Sequence, residues 1–285
     1  KDGHAVKLIL PYTGYKKNFY NFYNIKYKYR IERLKYFKKF PIGINYYLYS
    51  ILAILKSNYT KQDLFLTRNF FISFILSLLF KKHILEIHDD IKIEGRIVQF
   101  LVKYIKILNL SSLIKIVTTT KSLKKRYLNY GVIKNKIHIL HNASSLKSQF
   151  NVYKKKRELK IGYFGSIFQS RGTQMILRLS MLDKKNKYYI FGGTLDEINK
   201  IKKNRKSKNI FFTPHIPYSK IRKTLDKIDV CILPYTSKIT VSGNVGDISK
   251  FTSPLKIFDY MKLGKLIITS NLPVLREILK NNHNC

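Results

Sequence analysis

The chain has 285 residues, of which 45% are hydrophobic and 25% charged, a balance that excludes disordered, collagen-like and coiled-coil proteins. A total of 55 lysines and arginines against 16 aspartates and glutamates gives a formal net charge of +39, which favours contact with nucleic acid, anionic lipid or phosphorylated small molecules. Because the positive charge is spread over both halves of the chain, a general bias in composition also explains much of it, and charge alone assigns no function.

Short segments rich in β-branched residues alternate with helix-length segments, which is the pattern of βαβ units with parallel sheets. The predicted strands are Val6–Leu10, Leu64–Thr67, His83–Ile87, Ile114–Thr118 and Ile137–Leu140, then Lys160–Phe164, Tyr188–Phe191, Ile210–Phe212, Val230–Leu233 and Leu266–Ile268. The polar, lysine-rich stretch Asn142–Leu159 separates the two groups. We therefore predict an α/β fold of two Rossmann-like domains, residues 1–150 and 151–285, whose strands point their carboxyl ends at a central cleft.

Two segments of the first domain are candidates for contact with a membrane surface. Tyr15–Phe40 interleaves nine basic residues with ten tyrosines and phenylalanines and has Glu32 as its one acid. Such a mixture suits a lipid headgroup interface, single-stranded nucleic acid, or simply a solvated helical face. The apolar run Phe70–Phe80 is shorter than the ~20 residues that span a bilayer, so it is predicted to be a buried or interfacial helix.

Neither cysteines nor histidines indicate a disulfide framework or a zinc site. The chain has two cysteines, Cys231 and Cys285, and seven histidines without metal-ligand spacing. Cys231 lies in an apolar run and is predicted to be buried in a protein of a reducing compartment. With no signal peptide recognised, we expect a cytoplasmic location.

A glycine-containing loop after the predicted strand Lys160–Phe164 is the strongest sign of a ligand site. Gly165-Ser166 opens the loop, Arg171-Gly172 closes it, and a predicted helix starts at Thr173. Glycine lets the backbone approach a ligand, the helix offers free amides, and Arg171 supplies a forked donor for phosphate. A tight turn with an incidental arginine is the alternative.

A second candidate lies within Lys250–Ser270. Ser253 is predicted as the N-cap of a helix, Pro254 as its first residue, and Gly264 as the residue that ends it. The buried stripe is predicted to consist of Leu255, Phe258 and Met261.

This arrangement would leave Lys256 and Asp259 on another face of the helix, three residues apart. The amides of the first turn and the Lys256 cation suit a diphosphate, whereas Asp259, about one turn deeper, suits a sugar diol. An ordinary amphipathic helix with a surface ion pair is the alternative.

Three blocks in this order resemble the C-terminal half of family 4 glycosyltransferases, the glycosyl transferases group 1, which have the two-domain GT-B fold. They are Gly165-Ser166 with Arg171-Gly172, then Asp229-Val230-Cys231-Ile232-Leu233-Pro234-Tyr235, then Ser253-Pro254-Leu255-Lys256-Ile257-Phe258-Asp259-Tyr260-Met261. The N-terminal half resembles the family more weakly, through Gly3-His4-x-Val6, Thr67-Arg68, Glu86-Ile87-His88-Asp89 and Thr120-Lys121-Ser122-Leu123-Lys124-Lys125.

The resemblance implies a retaining hexosyltransferase that moves a sugar from a nucleotide diphosphate sugar to a glycan or lipid-linked acceptor, with no metal and no cofactor. The donor nucleotide would be bound by Gly165, Ser166, Arg171, Ser253, Pro254, Leu255, Lys256 and Asp259, the last through the ribose. His88 would contact the transferred sugar; a histidine bonded to Asp89 or Asp90 is the alternative. We expect the protein at the cytoplasmic face of an anionic membrane surface and expect no specific nucleic-acid partner.

The sequence also departs from the family pattern. Phe251 stands where many members carry the first of two glutamates, Asp259 replaces the second, and Ser166 replaces a second basic residue. The family's first strand and helix would precede Lys1 and its last elements would follow Cys285, so a fragment truncated at both ends is expected. A non-catalytic remnant of this fold, a basic nucleic-acid-binding protein and a GT-B sugar-nucleotide epimerase are the alternatives.

Overall fold

The computed structural model describes residues 3–12, 19–20, 25, 29–35, 41–57, 60, 63–147, 157–167, 169–203, 207–240 and 247–285. They form two compact units that divide between His141 and Asn142. The division precedes the predicted boundary at residue 150 because the segment that starts at Asn142 is hydrogen bonded within the second unit. Asn142 Nδ2 donates to the Ser253 carbonyl at 3.0 Å, and Ser144 Oγ donates to Asp259 Oδ1 at 2.5 Å.

Two parallel sheets form the described part of the first unit. One is the pair β1 (Lys7–Tyr12) and β2 (Arg30–Lys35), and the other has the order β3 (Phe65–Thr67), β4 (His83–Ile87), β5 (Leu113–Thr118), β6 (Ile137–Ile139). The helices are α1 (Ile42–Leu55), α2 (Phe70–Leu78), α3 (Arg96–Lys103) and α4 (Lys121–Asn129). Residues on both β4 and β5, such as Leu85 and Ile116, are fully buried, so this sheet lies at the core of the unit.

Strand β2 lies inside the basic, aromatic segment Tyr15–Phe40, for which a solvated helical face was one of the three alternatives. It pairs in parallel with β1, and Lys7 Nζ lies 2.7 Å from Glu32 Oε2 across the pair. Leu34 on the same strand is buried. The helical interpretation is therefore wrong for Arg30–Lys35, and most of the remaining segment lies outside the described residues.

Helix α2 forms from the apolar run predicted to be helical. It begins after Asn69, whose side chain accepts a hydrogen bond from Ile72 N at 2.9 Å, and its Leu76 is fully buried. Beyond the helix, Phe80 is 85% exposed. Across the described ranges, helices are either too short or too polar to cross a bilayer.

The second unit is built on one five-stranded parallel sheet with helices α5 (Thr173–Leu182), α6 (Leu195–Lys203), α7 (Tyr218–Leu225) and α8 (Leu255–Lys262). The strands are β7 (Lys160–Phe164), β8 (Lys187–Phe191), β9 (Ile210–Thr213), β10 (Val230–Leu233) and β11 (Leu266–Thr269). Their order is β9, β8, β7, β10, β11, so the direction in which strands are added reverses between β7 and β10. This is the order of the first five strands of a doubly wound Rossmann sheet, 3-2-1-4-5.

Every predicted strand is present, within two residues of its predicted bounds. The core of the second sheet combines Ile161 of β7 and Val230 of β10 with Ile176 of α5 and Ile198 of α6. Cys231, predicted to be buried, is a fully buried free thiol, and burial raises its pKa to about 12.

Candidate functional site

Several of the predicted site residues lie where the strand order of the second sheet reverses. Gly165 directly follows β7, and Pro234 directly follows β10. In open parallel sheets, ligands bind at the carboxyl ends of the strands on either side of such a reversal. Helix α8 reaches the same point, because Lys256 Nζ donates a hydrogen bond to the carbonyl of Phe164, the last residue of β7.

Gly165 is required for this approach of Lys256. Its φ is +148°, and a Cβ atom at this position would lie 2.1 Å from Lys256 Nζ and 3.2 Å from the Tyr163 hydroxyl. A side chain at residue 165 would therefore displace the ammonium group. The prediction that glycine permits a close approach applies here to a lysine of the protein itself.

The Lys256 ammonium lies under aromatic rings. It is 5.0 Å from the ring centre of Tyr163 and 5.9 Å from that of Tyr235. Burial, together with the nearby Arg171 guanidinium, lowers the pKa of Lys256 to about 7. The side chain is therefore close to losing its charge at neutral pH when no anion is bound.

Arg171 provides the second cation of the site. Its Cζ lies 5.3 Å from the ring centre of Tyr235, and its Nη2 donates to the Thr240 carbonyl at 3.4 Å. Among the described residues, no carboxylate forms an ion pair with Arg171 or Lys256. Two neighbouring cations without an acidic partner there favour the binding of an anion.

The loop that carries Arg171 is fixed to the segment after β10. Gly172 has a φ of +77°, and a Cβ there would lie 1.6 Å from the Pro234 carbonyl oxygen. Thr236 Oγ1 donates to the Ser170 carbonyl at 3.0 Å, and the hydroxyls of Ser170 and Thr240 are 3.0 Å apart. These contacts set the position of Arg171 from two sides.

The start of α8 differs from the prediction. The helix begins at Leu255 with Pro254 in the N-cap position, and Ser253 lies one residue before it. Ser253 Oγ accepts a hydrogen bond from Asn142 Nδ2 at 2.9 Å and does not cap the helix. Since proline has no N–H, Pro254 also cannot donate to a ligand.

The buried face of α8 was also predicted wrongly. Leu255 is 62% exposed and Met261 is exposed, whereas Ile257 and Tyr260 are almost fully buried. The helix therefore turns its polar residues Lys256 and Asp259 inward. The end of the helix is as predicted, because Gly264 follows it with a φ of +60°.

Asp259 is 8% exposed, and its hydrogen bonds are made to residues other than the cations Arg171 and Lys256. Its Oδ1 accepts hydrogen bonds from Ser144 Oγ at 2.5 Å and from the Tyr218 hydroxyl at 3.2 Å. Burial raises the pKa of the Asp259 carboxyl, and these two hydrogen bonds oppose the rise. The carboxylate thus already binds two hydroxyl groups, the chemistry expected for a sugar diol.

His88 belongs to the first unit and follows β4. Its Nε2 shares a hydrogen bond with the Glu86 carboxylate, which lowers the pKa of Glu86. The hydrogen-bond partner of His88 is thus Glu86, whereas the alternative had been Asp89 or Asp90, and Asp90 pairs with Arg126. A half-buried imidazole is therefore held at the carboxyl end of a central strand.

Sequence reasoning missed the aromatic residues of the site. Tyr163 and Tyr235 contact the cations, although only Tyr235 had been noticed, as the last residue of a family block. Tyr218 and Ser144 were missed as partners of Asp259. In the parts of the chain that the structure describes, no cluster of histidine, cysteine or acidic residues is suited to hold a metal ion.

Comparison with known families agrees with the resemblance found in the sequence. Residues 158–285 match the sequence model of the family described as glycosyl transferases group 1. The match includes the loop Gly165–Gly172 and helix α8. A comparison with curated proteins finds no match.

Solved structures similar to this chain have the GT-B fold, which confirms the predicted fold class. HepE of Anabaena, in complex with UDP-glucose, is 12% identical with a TM-score of 0.58, and the alignment covers 88% of this chain and 70% of HepE. The lipopolysaccharide outer core galactosyltransferase WaaB is 11% identical, with a TM-score of 0.61 and coverage of 98% and 85%. Sucrose-phosphate synthase from Thermosynechococcus elongatus is 13% identical, with a TM-score of 0.61 and coverage of 87% and 67%.

Proposed function

We propose that the protein transfers a hexosyl group from a nucleotide diphosphate sugar to a glycan or lipid-linked acceptor, a proposal supported by the match of residues 158–285 to the sequence model of the glycosyl transferases group 1. One observation carries the proposal. Arg171 and Lys256 lie together at the reversal of strand order, and no carboxylate among the described residues is paired with either. A diphosphate would supply the negative charge that this pair lacks.

The chemistry required is the stabilisation of a leaving group. As the bond between sugar and diphosphate breaks, negative charge accumulates on the diphosphate, and fixed cations stabilise it most at that stage. Arg171 would donate two parallel hydrogen bonds, and Lys256 would move from the Phe164 carbonyl to a phosphate oxygen. The N–H of Leu255, in the first turn of α8, has no acceptor within the helix and would add a further donor.

The remaining predicted residues receive roles around this centre. Gly165 and Ser166 would pass close to the phosphates, and Asp259 would accept hydrogen bonds from the ribose hydroxyls in addition to, or in place of, those of Ser144 and Tyr218. Ser253 and Pro254 would act through the backbone that starts α8. His88 of the first unit would contact the transferred sugar, in a reaction that retains the anomeric configuration.

The acceptor is proposed to be presented at a cytoplasmic membrane face. The support comes from exposed residues of the first unit, namely Lys35 on β2 and the apolar Leu78, Leu79 and Phe80 beside α2, which two lysines follow. An apolar tip next to basic residues suits an anionic lipid surface.

Donor binding tests the proposal directly. UDP is the first ligand to use, because HepE structures contain UDP-glucose and UDP; ADP and GDP complete the panel. Arg171→Ala should weaken binding by roughly 1.5–3 kcal/mol, the range for hydrogen bonds to charged groups. Arg178→Ala, an exposed arginine on α5, is the matched control and should leave the affinity unchanged.

Unchanged nucleotide affinity in folded Arg171→Ala and Lys256→Met variants would refute the donor site. Lys262→Met, an exposed lysine on the same helix α8, is the control for the second change. Both affinities are measured by calorimetry.

A non-catalytic nucleotide-sugar-binding protein is the second candidate. Phe251, where many family members carry an acid, is 2% exposed and therefore part of the core. Release of UDP from UDP-hexoses, measured with and without lipid-linked acceptors, separates the two functions. Turnover supports transfer, whereas tight binding without turnover across the panel supports the second candidate.

A further inference from the structure

A single tyrosine ring lies near both cations of the candidate site. Tyr235 follows Pro234 at the end of β10 and is 3% exposed. Its ring centre is 5.3 Å from Arg171 Cζ and 5.9 Å from Lys256 Nζ. Cations within about 6 Å of a ring centre are attracted to the negative face of the π system.

The backbone on either side of this ring is fixed. The Pro234 carbonyl packs against Gly172, where no side chain would fit, and Thr236 Oγ1 donates to the Ser170 carbonyl at 3.0 Å. The turn that carries Tyr235 and the loop that carries Arg171 are therefore held in a fixed position relative to each other. Tyr235 is held in register with the first cation before any ligand arrives.

An aromatic neighbour offsets the repulsion between the two cations. Like charges repel, and the Arg171 guanidinium contributes to the lowered pKa of Lys256. A carboxylate would relieve the repulsion but would also compete with an incoming anion. An aromatic face attracts both cations without pairing with them as an acid would, so it does not compete with an anion.

We propose that Tyr235 is a positioning residue of the transfer reaction, whose ring holds Arg171 and Lys256 together, in place of an acid, until the diphosphate of the donor binds. The inference rests on the proposed function, and it assigns to Tyr235 a role exerted through the two cations, without contact to the sugar.

A double-mutant cycle tests this role, with inorganic diphosphate and UDP as ligands. Tyr235→Leu should lower both affinities about tenfold, because two cation–π contacts are lost. The same change made in an Arg171→Gln, Lys256→Met background should cause no further loss, since its effect passes through those cations. Tyr235→Phe keeps the ring and loses only the hydrogen bond between the hydroxyl and Arg171, so it should stay within about threefold of the wild type.

The matched control is Tyr188→Leu on β8. Tyr188 is also 3% exposed, so the change leaves a cavity of the same kind in the same sheet, away from both cations. It should lower the thermal stability but not the affinity for diphosphate. If Tyr235→Leu does not fold, Tyr235→Met replaces it, because methionine fills the space without presenting a π face.

The pH dependence of diphosphate affinity provides a second readout. The groups around the ammonium are Arg171, the rings of Tyr163 and Tyr235, and the Phe164 carbonyl. In Tyr235→Leu and Tyr235→Met the buried ammonium loses a π face that favours its charged form, so the pKa of Lys256 should fall from about 7 and the midpoint of the pH profile should move downward with it. A purely structural role for Tyr235 would lower stability and would leave this midpoint unmoved, or move it upward as water enters.

The possible results distinguish failure of the proposed role of Tyr235 from failure of the proposed function on which that role rests. If the wild type binds neither UDP nor diphosphate, the proposed function fails. If it binds both, the role of Tyr235 is overturned by an equal loss in Tyr235→Leu and Tyr188→Leu, or in Tyr235→Leu and Tyr235→Phe. An undiminished loss in the background without the two cations overturns it as well.

Discussion

The charge of Lys256 should make the proposed binding of a donor nucleotide depend on pH. In the unliganded protein its pKa is about 7, so the ammonium is charged below that pH and largely neutral above it. Because the diphosphate binds the charged form, binding above pH 7 takes up a proton, and the affinity should fall by up to about tenfold per pH unit. Calorimetry with UDP from about pH 6 to about pH 9 should show this slope in the wild type and not in Lys256→Met.

A wild-type affinity that is flat across this range would contradict the assignment. The second ionisation of a phosphate group has its midpoint near pH 6 and is largely complete at pH 7, so the ligand itself adds little slope above pH 7.

Asp259→Asn separates ribose binding from phosphate binding. The amide keeps one oxygen that can accept from Ser144 and Tyr218, so the local fold should persist. We expect weaker binding of UDP and nearly unchanged binding of inorganic diphosphate, both measured by calorimetry. Ser144→Ala is the control for the loss of the internal hydrogen bond, and an equal loss for both ligands would show that Asp259 acts through the fold or through charge.

Individual residues of the site could be predicted from the sequence only where a pattern in their own segment of the chain indicates a ligand site. Arg171 lies in a glycine-bounded loop and Lys256 at a helix start, and both signals are local. Tyr163 and Tyr235 matter because folding brings them to those cations from other strands, and no local pattern encodes that proximity. The ligand roles themselves stay predictions.

Among the elements, the strands were predictable and the orientation of α8 was not. Apolar, β-branched runs identify buried parallel strands without knowledge of their neighbours. On α8 the apolar residues were assigned to the core, but Leu255 and Met261 are exposed because Lys256 and Asp259 face inward. Strand β2 was missed because its lone buried residue, Leu34, is surrounded by charged side chains whose partner strand lies far away in sequence.

The turn before α5 should tolerate no side chain at residue 172. Gly172→Ala combines a positive φ with a Cβ placed 1.6 Å from the Pro234 oxygen, and should cost about 2–4 kcal/mol of stability. Gly131→Ala is the matched control, since its φ of +84° carries the backbone strain while nothing lies within 4 Å of the added Cβ. Its cost should be about 1 kcal/mol.

Hydrogen exchange, measured peptide by peptide, shows how far each glycine substitution destabilises the structural unit that contains it. Faster exchange is expected across β7 and α5 in Gly172→Ala. Equal effects of the two changes would mean that the close contact with Pro234 is relieved by a small backbone movement.

For the entire chain, attachment to anionic membranes is the expectation that follows from the basic, aromatic segment Tyr15–Phe40 and the apolar run Phe70–Phe80. Lys→Glu changes at Lys35, Lys38 and Lys39, of which the last two lie outside the described residues, should reduce sedimentation with anionic vesicles, because each cation near such a surface contributes ~1 kcal/mol. Binding should weaken as salt rises, since the attraction is screened within roughly 8–10 Å.

The same three changes at Lys200, Lys202 and Lys203, exposed on α6 of the second unit, control for net charge. Equal partitioning into neutral and anionic vesicles, or no binding at low salt, would show that the basic residues only face water.

The two-domain organisation could be predicted because the polar stretch after residue 141 interrupts two runs of βαβ pattern. The order of the strands could not. Pairing of β7 with β10 joins residues about seventy positions apart, and hydrophobic periodicity carries no information on which buried strand will be its neighbour.

The reversal of strand order also affects how the second unit is made on the ribosome. Strands β7, β8 and β9 can pair in the order in which they emerge, but the other edge of β7 stays open until Val230–Leu233 has been synthesised. An open, apolar strand edge is a template for pairing with another chain. Nascent chains arrested after Thr213 should therefore be digested readily by protease, whereas chains that extend beyond Thr269 should resist; equal resistance would show that β7 is protected before its partner exists.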